Sequence, residues 1–246
     1  MHFTEGRRDL VQVEKFATFA SEIKAVVFDI DGTLTDSISQ IITCTKLAFS
    51  KYGLEVPQDK DIKGIIGKKL GEGLGSLLPE DKKNYTDEVT AAYRSIFAAD
   101  KSINATILFP KVLDLLYLLK QNGFKVGFAS GKSTVGIKRA LSDTKLDLIC
   151  DAYCAGDEVP SKPDKSMMLT VAKRLNLEPY ELLGVGDAGM DIEMYKNAGS
   201  YSCAVQSGVW SGSAFCALNP DLLVPDVSFL IDLFKNLKVE DKSCGK

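Results

Sequence analysis

The chain has 246 residues, of which 45% are hydrophobic and 26% charged, and its formal net charge is −3. This length allows one large core, or one core with an inserted domain, and the slightly acidic balance without a stripe of Lys and Arg argues against nucleic-acid binding. No stretch reaches the ~18 apolar residues needed to cross a membrane, and residues 1–22 lack the apolar segment of a secretory signal, so we expect a cytoplasmic protein without membrane contact.

The first predicted elements are a helix and a strand. Val13, Phe16 and Ala20 have helical spacing, so residues 1–22 are predicted to form a helical N-terminal extension that rests on the body of the protein. The apolar run at residues 25–28 follows. A short unbroken run of this kind is typical of a strand that is buried on both faces of a parallel sheet.

Two carboxylates follow this strand directly, in the run Asp29-Ile30-Asp31-Gly32-Thr33-Leu34. In open α/β sheets the carboxyl ends of the strands form the edge at which ligands bind. Gly32 permits a sharp turn there. Two acids held together by a tight turn are unfavourable unless a cation or a reaction uses them. The pair therefore predicts a functional site at this edge of the sheet.

Residues 38–107 are predicted to be helical. Apolar residues from Ile38 to Tyr52 indicate one helix, and apolar residues from Tyr85 to Ile96 indicate a second. Between them lies a patch rich in glycine, with Gly64, Gly67, Gly71, Gly73 and Gly75. We weigh two interpretations of this patch equally, a backbone that approaches a substrate and a simple turn.

From about residue 108 the pattern changes to alternating strands and helices. Strands are predicted at Lys125–Ala129, Ala152–Ala155, Leu182–Gly186 and Tyr201–Val205, and helices at Lys111–Gln121, Ser133–Leu141, Lys165–Leu175, Ile192–Asn197 and Asp226–Asn236. Such alternation predicts a parallel sheet with helices on both faces. The predicted fold class is α/β: a doubly wound, Rossmann-like core of residues 23–37 and 108–246, with an all-helical cap domain, residues 38–107, inserted after the first strand.

Three further motifs fall at the ends of predicted strands or in a loop before a helix. They are Ser130-Gly131, Lys162-Pro163 and Gly186-Asp187-Ala188-Gly189-Met190-Asp191. Alone, each has an ordinary interpretation as a turn, a solvated lysine or a helix cap. Together, at one edge of the sheet, they form a constellation that turn chemistry does not explain.

Four features of the chain, in their order, resemble the motifs of the haloacid dehalogenase-like hydrolase superfamily. They are the DIDGT sequence, Ser130, Lys162 and the GDAGMD sequence. The helical insertion after the first strand resembles the subgroup with a helical cap. Within that subgroup, the stretch Ile65–Gly71 and the pair Tyr93-Arg94 are most similar to phosphoglycolate-phosphatase-like members. The resemblance covers roughly residues 23–235.

The resemblance implies an enzyme, a Mg²⁺-dependent phosphatase that hydrolyses a small, phosphoglycolate-like phosphate monoester through a phospho-aspartate intermediate. Asp29, ionised at neutral pH, attacks phosphorus without an activating base. Asp31 gives a proton to the leaving alkoxide and later takes one from the attacking water. Lys162 neutralises charge that develops on the phosphoryl oxygens. The expected partner is a small phosphorylated metabolite.

The residue types favour a cation bound by oxygen atoms. The only histidine is His2, which excludes Ser-His-Asp, Cys-His and His-ligated zinc sites, and the six cysteines show no metal-type pairing and are interpreted as incidental thiols of a reducing cytosol. A hard, oxygen-seeking Mg²⁺ fits such a site. The resemblance implies that Mg²⁺ is bound by Asp29, the backbone carbonyl of Asp31 and Asp187, with Asp191 in support.

Four residues are candidates for substrate binding. The hydroxyl of Ser130 and the backbone of the turn at Gly131 can hydrogen-bond phosphoryl oxygens. Thr33 resembles a motif position of the family, although a hydroxyl bonded to the backbone of the turn is an equal alternative. Lys68 in the cap can meet an anionic tail of the substrate, whereas such lysines are more often solvated surface.

One motif and the function of the chain each have an alternative interpretation. Residues 127–134 look like a phosphate-binding P-loop, but Val126 stands where the first glycine belongs, so Lys132 is interpreted as a loop or helix-start lysine. The alternative functions are a phosphomutase of the same family, β-phosphoglucomutase-like, and a catalytically silent binding module. The physiological substrate and the oligomeric state are left open by the sequence.

Overall fold

A computed structural model describes residues 11–99, 106–210 and 212–239. Within these residues, six strands form one sheet in the order β3-β2-β1-β4-β5-β6, and every neighbouring pair is parallel. The strands are β1 Ala25–Phe28, β2 Lys125–Ser130, β3 Ala152–Ala155, β4 Leu182–Gly186, β5 Tyr201–Val205 and β6 Leu222–Val224. With the helices that connect the strands, this topology confirms the predicted doubly wound α/β fold class.

The helices precede, connect and follow these strands. They are α1 Ile38–Lys51, α2 Asp59–Lys63, α3 Leu70–Ser76, α4 Thr86–Ala99, α5 Val112–Gln121, α6 Thr134–Thr144, α7 Ser166–Leu175, α8 Gly189–Ala198, α9 Gly212–Cys216 and α10 Phe229–Phe234, with 3₁₀ turns at Glu80–Tyr85, Leu146–Leu148 and Pro179–Glu181. Helices α5, α6 and α10 cover one face of the sheet, and α7, α8 and α9 cover the other. None of the described helices is both long enough and apolar enough to cross a membrane.

Strand β1 lies in the middle of the sheet, between β2 and β4, and contributes to the hydrophobic cores on both of its faces. Val26 and Phe28 belong to the core on one face, and Ala25 and Val27 belong to the core on the other. Successive side chains of a strand point to opposite faces, so a strand that is covered on both faces must be apolar throughout. This requirement explains why the run before Asp29 has no polar residue.

The helical segment after β1 has a hydrophobic cluster of its own. Its completely buried members include Cys44, Leu74 and Val89, on helices α1, α3 and α4. The two connections to the sheet lie side by side, because the Asp36 N–H donates to the Ile107 carbonyl at 2.9 Å. A separate cluster and paired connections are what an inserted cap domain requires. The domain boundaries themselves stay a prediction.

The glycine-rich patch is partly a turn and partly a helix: Gly64 and Gly67 lie in the turn that follows α2, whereas Gly71, Gly73 and Gly75 lie in α3. Gly73 and Gly75 lie in α3, where an added Cβ would stand 3.1 Å from Ile65 and 3.0 Å from Thr86. The small residues therefore let α3 pack closely against its neighbours. Only Gly67, which precedes the helix, contacts the sheet side of the molecule: its added Cβ would lie 3.1 Å from the sulfur of Met190.

The remaining differences from the predicted elements are missed elements, among them the short helices α2 and α9, and shifted ends. Strand β6 was not predicted, because three residues are too short a run to give a strand signal. The final helix covers Phe229–Phe234 only. Near the chain start, residues 11–17 are helical and Phe16 is buried against the sheet core. His2, Cys244 and residues 1–10 of the predicted N-terminal helix lie outside the described residues.

Candidate active site

Three adjacent strands end at the same level and carry three of the predicted site residues. Strand β1 pairs with β2 on one side and β4 on the other, and Phe28 lies opposite Phe128. Asp29 follows β1, Ser130 is the last residue of β2 and Asp187 follows β4, and all three are buried. The parallel register therefore gathers them at the carboxyl edge of the sheet, as the sequence predicted.

Three carboxylates form a buried cluster at this edge. One oxygen each from Asp29, Asp187 and Asp191 lies within 4.8 Å of the others. Burial raises the pKa of Asp29 to about 7, opposed by the charge of Lys162 and reinforced by that of Asp191. Burial, followed by the charges of Asp29 and Asp191, raises the pKa of Asp187 well above its ordinary value. Both shifts mean that the surrounding protein does not fully compensate the negative charge of the cluster.

Lys162 provides the buried positive charge beside the cluster. Its Nζ lies 2.7 Å from Asp29 Oδ1 and 2.6 Å from Asp191 Oδ1, and its side chain is completely buried. Burial acts to lower the pKa of Lys162, but the ion pairs with Asp191 and Asp29 outweigh it and keep the pKa above its ordinary value. The lysine is therefore charged. Asp191 also accepts from the Ala188 N–H at 3.1 Å, which fixes the carboxylate that holds Lys162.

The cluster has the donor set of a site for a hard divalent cation. Its three ligating groups are carboxylates, which supply the oxygen atoms that Mg²⁺ and Ca²⁺ prefer. The raised pKa values of Asp29 and Asp187 mark a site where an added positive charge is stabilising. These residues therefore fit the metal that the resemblance implies.

Asp31 lies in different surroundings from Asp29, although only one residue separates them. Its Oδ1 accepts a hydrogen bond from Ser37 Oγ at 2.6 Å, and its Oδ2 lies 2.7 Å from Lys132 Nζ. The Asp31 side chain is 13% exposed, compared with 2% for that of Asp29. Asp31 is thus the more accessible of the two carboxylates, and both of its oxygens already have a partner.

The structure gives the predicted substrate-binding residues specific neighbours. Thr33 donates to Asp187 Oδ1 at 3.0 Å rather than to the backbone of its turn. Ser130 Oγ accepts from the Lys132 N–H at 3.3 Å. An added Cβ on Gly131 would lie 2.5 Å from the carbonyl oxygen of Lys68, so the helical segment meets the sheet edge closely there and leaves room only for glycine. Direct contact of these residues with a substrate stays a prediction.

Further contacts join the helical segment to the sheet side. Ser161, which precedes Lys162, donates to Glu72 in α3. The guanidinium of Arg139 in α6 lies 5.5 Å from the ring centre of Phe97 in α4. We call this contact region the seam; its residues are Gly67, Lys68, Glu72 and Phe97 on the helical side and Gly131, Arg139, Ser161 and Met190 on the sheet side. The seam places the helical segment beside the loops that carry the predicted site.

Sequence reasoning missed two parts of the site. The first is Lys132, set aside as an ordinary lysine after the P-loop was rejected, whose ammonium group contacts Asp31. The second is the loop after β5, where Ser207 donates to the Gly32 carbonyl at 2.8 Å and the Val209 N–H donates to Asp187 Oδ2 at 3.0 Å. The position of this loop, at the carboxyl end of a parallel strand, was a signal that could have found it.

Comparison with known proteins identifies the family and relatives of the chain. A family model described as haloacid dehalogenase-like hydrolase matches residues 26–205. The chain is 25% identical over 221 residues to a phosphoglycolate phosphatase from Mannheimia succiniciproducens, a match that covers 87% of this chain and 99% of that protein. It is 27% identical over 235 residues to the phosphoglycolate phosphatase of Escherichia coli, which covers 85% of this chain and 92% of that protein.

Solved structures share the fold. A protein from Clostridium acetobutylicum, described as a predicted phosphatase, matches with a TM-score of 0.74 and 26% identity, over 85% of this chain and 97% of that one. A β-phosphoglucomutase from Clostridium difficile matches with a TM-score of 0.69 and 21% identity, over 86% of this chain and 97% of that one. At the lower identity the likeness concerns the fold alone.

Proposed function

The chain belongs to the haloacid dehalogenase-like hydrolase family and is a phosphoric monoester hydrolase, and on that premise we propose a substrate and a mechanism for it. The substrate is a small phosphoglycolate-like ester, and hydrolysis is Mg²⁺-dependent and passes through a phospho-aspartate intermediate. The observation that carries the proposal is the buried cluster of Asp29, Asp187 and Asp191 with Lys162 at its side.

In the first step, a carboxylate oxygen of Asp29 attacks phosphorus and the bond from phosphorus to the ester oxygen breaks. Asp31 gives its proton to the leaving oxygen, so the alcohol departs neutral. Lys162, held between two carboxylates, is positioned to neutralise charge on the phosphoryl oxygens. The Ser130 hydroxyl and the N–H groups of the turn that follows it would bind the same oxygens.

In the second step, water attacks the phosphorus of the aspartyl phosphate. Asp31, now ionised, takes the proton of the water, and the bond between phosphorus and Asp29 breaks. Inorganic phosphate leaves, and both carboxylates return to their starting states. Contacts across the seam would keep bulk water away from the intermediate until the alcohol has left.

The residues that would hold Mg²⁺ are Asp29, Asp187 and Asp191, together with the backbone carbonyl of Asp31. When bound, the ion supplies positive charge that makes a dianionic phosphate and the buried carboxylates compatible in one site. Thr33 and the Val209 N–H orient Asp187 for this role through their hydrogen bonds to its two oxygens.

The proposal is tested by measuring phosphate release from a panel of small phosphate esters, with Mg²⁺ and with excess chelator. We expect the release of phosphate to require Mg²⁺. We also expect that protein from a reaction stopped with acid during turnover is phosphorylated at Asp29. Asp29→Asn should remove both signals in a folded protein, whereas Asp232→Asn, at an exposed aspartate of α10, should keep them.

Product analysis separates the alternatives. An isomerised phosphate ester in place of free phosphate would assign the chain to the phosphomutases. No turnover of any ester, with Mg²⁺ present, would favour the silent binding module. Full activity in chelator would contradict the metal requirement.

A further inference from the structure

Lys132 is the charged side chain at this edge that the mechanism above leaves without a task. Its Nζ lies 2.7 Å from Asp31 Oδ2, and its side chain is 22% exposed. The backbone of Lys132 is fixed on both sides, because its N–H donates to Ser130 Oγ at 3.3 Å and its carbonyl accepts from the Gly156 N–H at 2.7 Å. The ammonium group therefore projects from a rigid turn toward Asp31.

The chemistry of Asp31 decides what lies near this ammonium group. In the proposed mechanism Asp31 gives its proton to the leaving oxygen, so the carbon that carries this oxygen must lie beside Asp31. The next substituent on that carbon then falls within reach of a cation that contacts the same carboxylate. An ammonium group has three N–H donors, and the contact with Asp31 occupies only one of them.

We propose that Lys132 is a specificity-determining residue, which selects phosphate esters that carry an anionic group, a carboxylate, on the carbon bonded to the ester oxygen. The inference rests on the proposed function and adds the residue that distinguishes the tail of the substrate. Lys68 lies across the seam from the same turn, since its carbonyl oxygen would be 2.5 Å from an added Cβ on Gly131. A short anionic tail bound by the Lys132 ammonium group would thus lie beside this contact, next to the helical segment.

The test compares two esters of similar size, 2-phosphoglycolate, which has a carboxylate tail, and 2-hydroxyethyl phosphate, which has a neutral one. For each ester, kcat/KM is measured for the wild type and for K132M, K132Q and K132R, with K138M as the control at an exposed lysine of α6. Comparing each variant with the wild type on the same ester removes the intrinsic difference between the two leaving groups.

We expect K132M and K132Q to lower kcat/KM for 2-phosphoglycolate by about 10- to 100-fold, the usual effect of losing a charge-assisted hydrogen bond. The loss should lie mainly in KM. Turnover of 2-hydroxyethyl phosphate should fall less than that of 2-phosphoglycolate, so the ratio of kcat/KM for the two esters should drop in K132M and K132Q, because only 2-phosphoglycolate loses a contact to its tail in addition to the contact between Lys132 and Asp31. K132R should keep most of the preference for the carboxylate, and K138M should resemble the wild type.

A binding measurement makes the test independent of turnover. In calorimetry with Mg²⁺ present, 3-phosphonopropionate, a phosphonate with a carboxylate tail, should bind more tightly than 3-hydroxypropylphosphonate. K132M should remove the difference. Because this assay requires no hydrolysis, it tests the role of Lys132 even if the chain proves not to be a phosphatase.

Two results would overturn the proposed role of Lys132. Equal losses on both esters would mean that Lys132 acts only through Asp31, and the proposal would be wrong although the chain remains a phosphatase. Unchanged ratios in every variant would also overturn it. If K132M fails to unfold cooperatively, the more conservative K132Q and K132R decide the question.

Discussion

Two acids separated by one residue lie in different surroundings. Asp29 is buried among carboxylates and paired with Lys162, so the protein holds it as part of a charged cluster. Asp31 lies outside this cluster, between Ser37 and Lys132, and is partly exposed. In the mechanism proposed above, Asp29 is the nucleophile and Asp31, the more exposed of the two, is the acid and base.

This division predicts how Asp31→Asn depends on the leaving group. An alkyl phosphate needs its leaving oxygen protonated, whereas a nitrophenyl phosphate does not, because its phenolate is stable. We expect kcat to fall by about 10²- to 10⁴-fold for the alkyl ester and much less for the aryl ester. Measuring kcat for both esters with the same protein provides the control. An equal loss on the two esters would contradict the general-acid role.

A second residue-scale prediction concerns stability rather than chemistry. Burial acts to raise the pKa of Glu181, but the hydrogen bonds from Lys24 and from the Glu178 N–H outweigh it and lower the pKa. Because the folded-state pKa is the lower one, Glu181 stabilises the protein above its ordinary pKa of 4.5, and this contribution disappears as the pH falls through the folded-state value.

We therefore expect Glu181→Gln to lower the free energy of unfolding by about 1 kcal/mol near neutral pH. The difference from the wild type should vanish in acid. Urea unfolding at several pH values measures it, and Glu193→Gln, at an exposed glutamate of α8, is the control. A loss that is independent of pH would assign the effect to packing.

The sequence predicted individual residues best where the backbone decides their position. Asp29, Ser130 and Asp187 were found because each ends or follows a strand of the sheet, and parallel strands bring such residues to one edge. Lys132 was not found, because a long side chain can reach several partners and the sequence does not say which one. Asp31 and Lys132 are 101 positions apart in the chain, and their contact depends on the pairing of β1 with β2.

At the scale of the elements, the helical segment sets what can reach the carboxylates. The turn from Gly67 to Lys68 lies against Gly131, and Glu72 accepts from Ser161 in the loop that carries Lys162. A substrate at Asp29 must therefore share its space with this segment. Binding energy from the segment would act on parts of the substrate that are remote from phosphorus.

This arrangement predicts the effect of replacing both Lys68 and Lys69 with Ala. KM for an anionic natural substrate should rise several-fold, because charge pairing with the tail is lost in the ground state and the transition state alike. Turnover of an aryl phosphate should hardly change. The matched control is the double replacement of Lys60 and Lys63, which are exposed on α2 of the same segment. Equal effects on both esters would instead assign the lysines a role in the fold.

The elements that the sequence predicted correctly are those with a continuous apolar signal. Strands β3, β4 and β5 have the predicted bounds, since buried parallel strands are mostly apolar and their limits stand out in the sequence. Helix α3 was missed because glycine is a poor helix former, and its helical state is stabilised by close packing against Ile65 and Thr86. Such tertiary contacts cannot be deduced from the local sequence.

At the scale of the whole molecule, a bound cation would stabilise the fold itself. Three buried carboxylates repel one another in the native state, and this repulsion is absent when the chain is unfolded. A cation that binds only the native state raises its stability by mass action. The melting temperature should therefore rise with Mg²⁺ concentration after chelator treatment.

The variant Asp187→Asn separates this effect from non-specific salt effects. It should weaken the response of the melting temperature to Mg²⁺ strongly, whereas Asp232→Asn should respond as the wild type does. Calcium should also raise the melting temperature but support turnover poorly, because its looser coordination misplaces the nucleophile. An identical Mg²⁺ response in the wild type and in Asp187→Asn would contradict the assignment of the cluster as the metal site.

The pairing of the two connections, at Asp36 and Ile107, has a consequence for how such an enzyme can change during evolution. The chain leaves the sheet and returns to it at one point, where the Asp36 N–H meets the Ile107 carbonyl at 2.9 Å. A change in the length of the segment between these residues leaves the two ends of this junction next to each other. A new substrate range can then arise by recombination at this single junction, while the catalytic chemistry is inherited unaltered.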